Sequence, residues 1–241
     1  MKEEKISSLP RFFSLEKLEL DREVTLDESE SQHLAKALRK QVGHEVTLFD
    51  GTGGEYRATI TEVRKKVTTL VCNEYFDINR KNQRRLTIGV ALPKGDRQKW
   101  LVEKLTELGV STLVPLLTER GVAQPTGSVL ERLTKNVLAA CKQSGRNIPM
   151  EIQPAQKFND FLGTVGMTGS RFFAHPGERQ IGPTAEGLAG EEEVAWAIGP
   201  EGGFSTGEVK EAKFAGWKPV CLGPVIYRIE TAALLVACWG Q

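Results

Sequence analysis

The sequence predicts an α/β protein in two parts: a small β-rich domain, then a parallel sheet with helices on both faces. Three observations carry this. Residues 46–76 hold three strand-like runs joined by Gly-rich and basic turns, the mark of a small barrel or sheet. From Leu86 onward, apolar strand-like runs alternate with amphipathic stretches of helical period, which implies βαβ units and a sheet covered on both sides. Between the two parts, DINRKNQRR (77–85) is polar and charged throughout and reads as a linker.

Taken in order, SQHLAKALRK (31–40) has apolar residues at 34, 37 and 38 and predicts a short helix. VTLF (46–49) and EYRATITEV (55–63) flank DGTGG, and VTTLVCNEYF (67–76) follows the basic turn Arg64, Lys65, Lys66. Asp50 and the glycines after it begin as a nucleotide-type loop does. That fingerprint needs a helix next, and EYRATITEV alternates like a strand, so a hairpin turn is the reading. Beyond the linker, RLTIGVAL (85–92) is a buried-type strand. DRQKWLVEKLTELG (96–109) is a helix with Leu101, Leu105 and Leu108 on one face and Gly109 as its stop. TLVPLL (112–117) is the next strand. Ser128 with Glu131 forms a capping box opening a helix that turns Leu130, Leu133, Val137 and Cys141 inward and ends at Gly145. RFFA (171–174), VAWAI (194–198) and PVCLG (219–223) are further strands. Ser205 with Glu208 is a second capping box, starting a helix that stops near Gly216, and Glu230 to Trp239 is an apolar closing helix.

The chain of 241 residues is long enough for a large core or two smaller ones. No apolar run reaches the length of a membrane span, and MKEEKISSLPRFF lacks the apolar core of a signal peptide, so a cytoplasmic location is expected. Cys72, Cys141, Cys221 and Cys238, like His33, His44 and His175, are scattered, so no metal is expected. Net charge is only +1, but residues 81–150 carry 12 Lys and Arg against 5 Asp and Glu. A local field of that sign attracts a polyanion; a solvated helix face is the other reading of the same charges.

Two stretches are candidates for chemistry, each with a plainer reading beside it: an ordinary strand-to-helix loop for the first, a Gly-Pro turn plus a helix cap for the second. In AWAIGPEGGFSTGEV (195–209) a buried strand gives way to a helix through Gly199, Pro200, Glu201, Gly202 and Gly203. Glycines there let the main chain approach a ligand, Pro200 stiffens the bend, and free amides precede the helix. In LGPVIYRIETAALLVA (222–237), Arg228 and Glu230 interrupt an otherwise apolar segment, where unpaired charge is costly.

Together GPEGGFS (199–205), LGP (222–224) and RIETA (228–232) resemble the C-terminal signature of the RsmE family, SPOUT-class enzymes that methylate uridine N3 in 16S ribosomal RNA. RFF (11–13), HLAKALR (33–39), LFDGTGGEYRA (48–58), LPKGDR (92–97), EKLTELGV (103–110), TERGV (118–122) and CKQSGRNIP (141–149) also resemble that family's recurrent blocks, so the likeness spans nearly the whole chain. The resemblance implies a PUA-like RNA-binding β-barrel over 1–78 and a SPOUT methyltransferase domain over 79–241. It further implies a deep C-terminal trefoil knot, a homodimer formed through it, and S-adenosyl-L-methionine bound inside it. Ala174, Gly199, Pro200, Glu201, Gly202, Leu222, Gly223, Tyr227 and Arg228 are the implied cofactor residues. The chain departs from the family pattern at Val225, where an arginine is expected, at Ile229, where a threonine is expected, and at Gly121, where a serine is expected.

Uracil N3 keeps its proton at neutral pH, so the enzyme must remove it or stabilise the anion. Arg228 is the candidate for stabilising the charge, and Glu230 either orients Arg228 or acts as the base. A structural ion pair between the two is the competing reading. The target base must be splayed out, and phosphate contacts supply most of the affinity. The candidates for RNA are Arg11, Arg39, Lys94, Arg97, Lys104, Gln143 and a helix face formed by Arg132, Lys135, Lys142 and Arg146. A SPOUT enzyme with another RNA target, and a non-catalytic ribosome-assembly protein, are the alternatives; methyl-donor binding separates the latter.

Overall fold

The computed structural model describes residues 6, 8–64, 66–78, 80–123, 125–164, 169–177, 182 and 190–240. Lys65 of the basic turn, Asn79 of the linker and most of the first seven residues lie outside them. Contacts divide the chain into two compact units, Met1–Lys81 with Leu138–Pro149, and Asn82–Val137 with Met150–Gln241.

In the first unit β1 (Arg11–Phe13), β2 (Glu23–Leu26), β3 (Glu45–Phe49), β4 (Glu55–Val63) and β5 (Thr68–Phe76) form one sheet in the order β1-β3-β4-β5-β2. The β1–β3 pair is parallel and the rest antiparallel. One core, including Phe12, Leu34, Val46, Leu48, Ile60, Leu70 and Cys72, fills it. The DGTGG segment is the expected hairpin turn. Asp50 Oδ1 accepts from the Thr52 amide at 3.0 Å and its hydroxyl at 2.7 Å, and Oδ2 accepts from the Leu18 amide at 2.9 Å. The helix expected over 31–40 starts earlier, as α1 (Glu28–Gln32), because Asp27 caps it by accepting from the Glu30 amide at 2.8 Å. It continues as a π-helical turn, His33–Ala37, and burying Leu34 ties that turn to the core.

A division at 78/79 leaves Leu138–Pro149 in the C-terminal part; the contacts place it in the first unit. Hydrogen bonding gives the reason. Asn147 is buried, and its Nδ2 donates to the carbonyls of Ile78 at 2.8 Å and Gly54 at 3.4 Å. Arg11 donates to the Gly145 carbonyl at 3.1 Å, and Lys142 pairs with Glu30 at 2.5 Å. The QSGRNIP segment thus satisfies polar groups of the β-domain that would otherwise be buried alone.

Burial pushes the Cys72 thiol up to about 11 from 9.0, and the Asp50 charge adds to the effect. Tyr56 is raised in the same direction, by burial first and Asp50 second. The unfolded chain therefore ionises first. Stability from this source is intact below pH 9 and lost as pH climbs to about 11, with a slope approaching about 1.4 kcal/mol per pH unit. Urea unfolding of Cys72→Ala, though less stable at neutral pH, is expected to show a flatter alkaline decline than wild type; parallel profiles would refute the assignment.

The second unit contains β6 (Arg85–Val90), α2 (Arg97–Glu107), β7 (Thr112–Leu117), the start of α3 (Gly127–Ser144), β8 (Glu151–Ile152), β9 (Gln156–Lys157) and α4 (Phe158–Thr164). It continues with β10 (Ser170–Ala174), β11 (Glu193–Ile198), α5 (Thr206–Phe214), β12 (Lys218–Val220) and α6 (Ile229–Trp239). The sheet runs β12-β10-β11-β6-β7-β8 with β9 also on β7, and every pair is parallel. β11 shows the alternation of a strand buried on both faces. Ala195 and Ala197 face a core with Phe158, Phe161 and Trp217 beneath α4 and α5. Trp196 lies on the other face, 6.1 Å from Trp239 of α6, which itself packs on α2.

One capping box forms and one does not. The Glu208 amide donates to Ser205 Oγ at 3.2 Å, and Glu208 Oε2 accepts from the Ser205 amide at 2.7 Å. Ser128 is no cap: α3 already starts at Gly127, and the Val129 and Leu130 amides donate to the Thr126 carbonyl at 3.0 and 3.1 Å. The Thr126 carbonyl accepts the first helical bonds, so Ser128 falls inside the first turn.

Candidate functional site

β11 enters the sheet between two strands laid down before it, β6 and β10. Open parallel sheets bind ligands beyond their carboxyl ends where strand order reverses. A cleft of about 200 Å³ lies there, at the ends of the adjacent strands β12, β10 and β11. Ala174 lines it from the end of β10. Gly199, Pro200, Glu201 and Gly202 line it after β11, and Leu222, Gly223 and Tyr227 after β12. These are the implied cofactor residues; only Arg228 is not among the lining residues. Gly203 makes the tight return, with φ +69° and its amide on the Pro200 carbonyl at 2.8 Å. Gly223 lies under the Tyr227 ring so closely that a Cβ would overlap it.

The sequence reading missed His175, Ile198, Cys221, Ile226 and Ala232, which also line this cleft. Ile229 and Ala232, one turn apart on α6, give it an apolar wall. That periodicity was the available signal; the other positions are set by loop shape. Two of the three family departures lie here as well. Val225 and Ile229 both line the cleft, so they bear on ligand packing.

Arg120, also missed, braces the loop: its Nη1 donates to the Gly202 carbonyl at 2.8 Å. Glu208 ties the same region by accepting from the Glu119 amide at 2.9 Å. Gly121 is the third departure. A Cβ there would sit 2.8 Å from Thr118 Oγ1, so this backbone has no room for a serine unless Thr118 shifts.

The expected Arg228–Glu230 pair does not form. Arg228 caps α6 with its backbone, makes no side-chain cap bond and is exposed. Glu230 is 8 % exposed, and the charge beside it is Arg97, whose Nη1 stands 3.6 Å from Glu230 Oε1 and 3.5 Å from Glu201 Oε1. Glu230 Oε2 is buried with no hydrogen-bond partner among the described residues. An acceptor in that state is expensive. Position explains the pairing: the backbone at Arg228 precedes the first helical turn, while Glu230 is inside it and turned toward α2.

A second cleft, of about 240 Å³, adjoins the first across Pro200 and Glu201. Ala91, Leu92, Lys94, Arg97, Gly121, Val122 and Ala123 complete its lining.

The residues expected to meet RNA separate into two groups. Arg39, Lys94, Arg132, Lys135 and Gln143 are exposed. The others are engaged within the protein. Arg11 is bonded to Glu55 at 2.6 Å and stacked over Phe49. Lys104 bridges to Glu107 at 2.8 Å, and Lys142 to Glu30. Arg146 lies past the end of α3, donates to the Ile148 carbonyl at 2.5 Å, and is pushed below its ordinary pKa by burial. The four-residue basic helix face therefore reduces to Arg132 and Lys135, because Lys142 and Arg146 are drawn into the first unit's polar contacts.

The fold and the cleft define a class, and comparison gives it a name. The family model for an RNA methyltransferase domain matches residues 80–240, and that for an RNA methyltransferase PUA domain matches residues 26–72. Ribosomal RNA small subunit methyltransferase E of Synechocystis is 30 % identical, over 87 % of this chain and 69 % of that protein. The protein of the same name from Rickettsia conorii is 30 % identical, over 84 % and 82 %. The crystal structure of ribosomal RNA small subunit methyltransferase E from Neisseria gonorrhoeae bound to S-adenosyl methionine superposes with TM-score 0.88 at 27 % identity, covering 97 % of both chains. The chain belongs to the ribosomal RNA small subunit methyltransferase E family.

Proposed function

We propose that this protein methylates N3 of a uridine in 16S ribosomal RNA, using S-adenosyl-L-methionine held in the cleft at the ends of β10, β11 and β12. The observation that carries the reading is the convergence of Ala174, Gly199, Pro200, Glu201, Gly202, Leu222, Gly223 and Tyr227 on one cleft beside a buried carboxylate. The cleft fits the cofactor. Ile198, Ile229 and Ala232 form apolar walls suited to an adenine ring, and the amides of Leu222 and Gly223 have no hydrogen-bond partner among the described residues. Bound there, the cofactor supplies an electrophilic methyl group.

The chain's own residues position the base and handle its proton. Glu230, which lines neither cleft and stands 3.6 Å from Arg97, accepts the N3 proton once Arg97 turns away from it, and its placement in the first turn of α6 suits a carboxylate at the positive end of the helix dipole. Arg228 and the exposed cations meet the RNA backbone. In this reading residues 1–78 form the RNA-binding PUA-like domain and 79–241 the methyltransferase domain, which lends Leu138–Pro149 to the first compact unit. The second forms a trefoil knot and a homodimer through it, and the enzyme works in the cytoplasm. The insertion of β11 between earlier strands supports the knotted reading.

Mapping methylated nucleotides in 16S ribosomal RNA from a deletion strain tests this. One N3-methyluridine is expected to disappear and to return on complementation. An unchanged map, or loss at a different base, overturns the proposal.

A further inference from the structure

Resting on the proposed uridine-N3 activity, we propose that the second cleft is the slot for the extruded base and that Arg97 reads it. The ligand class is a pyrimidine with an acceptor–donor–acceptor edge, as in uracil. The lining sorts by chemistry. Leu92, Val122 and Ala123 offer apolar surface to the faces of a ring, while Lys94 and Arg97 bring cationic donors. The slot shares Pro200 and Glu201 with the cofactor cleft, so a base seated in it adjoins the methyl donor.

Arg97 is under-used where it stands. Both of its ion-pair contacts come from one nitrogen, at 3.5 and 3.6 Å, long against the 2.7–2.9 Å of a formed charge-assisted bond. A guanidinium has five donors, and its side chain is 41 % exposed. Beside it, Glu230 Oε2 is buried without a partner, an acceptor next to donors. Uracil presents the complement, N3–H flanked by two carbonyl oxygens. Glu230 stands outside the slot's lining, 3.6 Å from Arg97; N3–H meets it once Arg97 turns to a flanking oxygen and leaves both Glu201 and Glu230. Cytosine has no proton on N3 and would set a lone pair against the carboxylate. When the proton moves to Glu230, the charge left on N3 spreads to the flanking oxygens, where Arg97 holds it.

The test is methyl transfer to ribosomal RNA by the full-length protein and by Arg97→Gln, on ordinary RNA and on RNA made with 5-fluorouridine, whose N3–H is more acidic. Arg97→Gln is expected to lower kcat/KM on ordinary RNA by about 10²–10³-fold, with cofactor affinity by calorimetry unchanged. The fluorinated RNA should restore about tenfold or more of that loss, and Arg97→Lys should lie between. An equal deficit on both RNAs, or a loss of cofactor affinity matching the loss of rate in both variants, overturns the assignment and makes Arg97 a structural bridge. The deletion-strain map stands apart. A lost N3-methyluridine together with equal deficits sinks only this inference; an unchanged map sinks the functional reading itself.

Discussion

Glu230→Gln is expected to slow methyl transfer by about 10²–10⁴-fold while leaving the protein folded and able to bind S-adenosyl-L-methionine. The amide keeps the size of the carboxylate and one acceptor oxygen, so packing at the start of α6 survives. What it loses is the capacity to take a proton. Glu230 is the residue to change because its Oε2 is buried and unpartnered, and because it sits beside Arg97 at 3.6 Å. Single-turnover transfer and calorimetry, run on the same preparation, check it. Full activity in Glu230→Gln, with lowered thermal stability, would mark the carboxylate as a structural partner of Arg97. Arg228→Ala provides the contrast. Because Arg228 is exposed where Glu230 is buried, its loss should weaken RNA binding and lower the salt slope by about one.

Glu55→Ala should destabilise the first unit by about 3–5 kcal/mol. Glu55 is fully buried at the start of β4, accepts from Arg11 Nη1 at 2.6 Å, and stands 3.3 Å from Arg80 Nε. Removing it strands Arg11, whose side chain is 8 % exposed, with no carboxylate to balance it. Replacing Arg11 itself should cost stability rather than RNA affinity, because its guanidinium is spent on Glu55 and the Gly145 carbonyl. Urea titration followed by a probe in the β-domain measures both. A Glu55→Ala midpoint equal to wild type would show that the buried pair contributes nothing net.

Much of the fold was legible because period and punctuation are local. EYRATITEV became β4 with its ends as read, and VAWAI became the core of β11. The Ser205 box formed because cap and partner are three residues apart. Strands of two to four residues, such as β1, β2, β8 and β9, show too few alternations to register. The cleft at the ends of β10, β11 and β12 was legible because its walls are loops named by the resemblance, and each loop follows its own strand.

By itself the sequence determined the two-part α/β plan, the glycine-rich loop after β11, and the short segment between Gly223 and Glu230 as places for chemistry. Each is written in spacing along the chain. Only the tertiary structure decided which charge meets which. Arg97, not Arg228, stands against Glu230; Arg11 and Lys142 serve the β-domain; and Glu201 borders both clefts. The reason is that ion pairs act over a few ångströms in space, and the residues concerned lie far apart in sequence. Their proximity is set by how strands pair and helices pack.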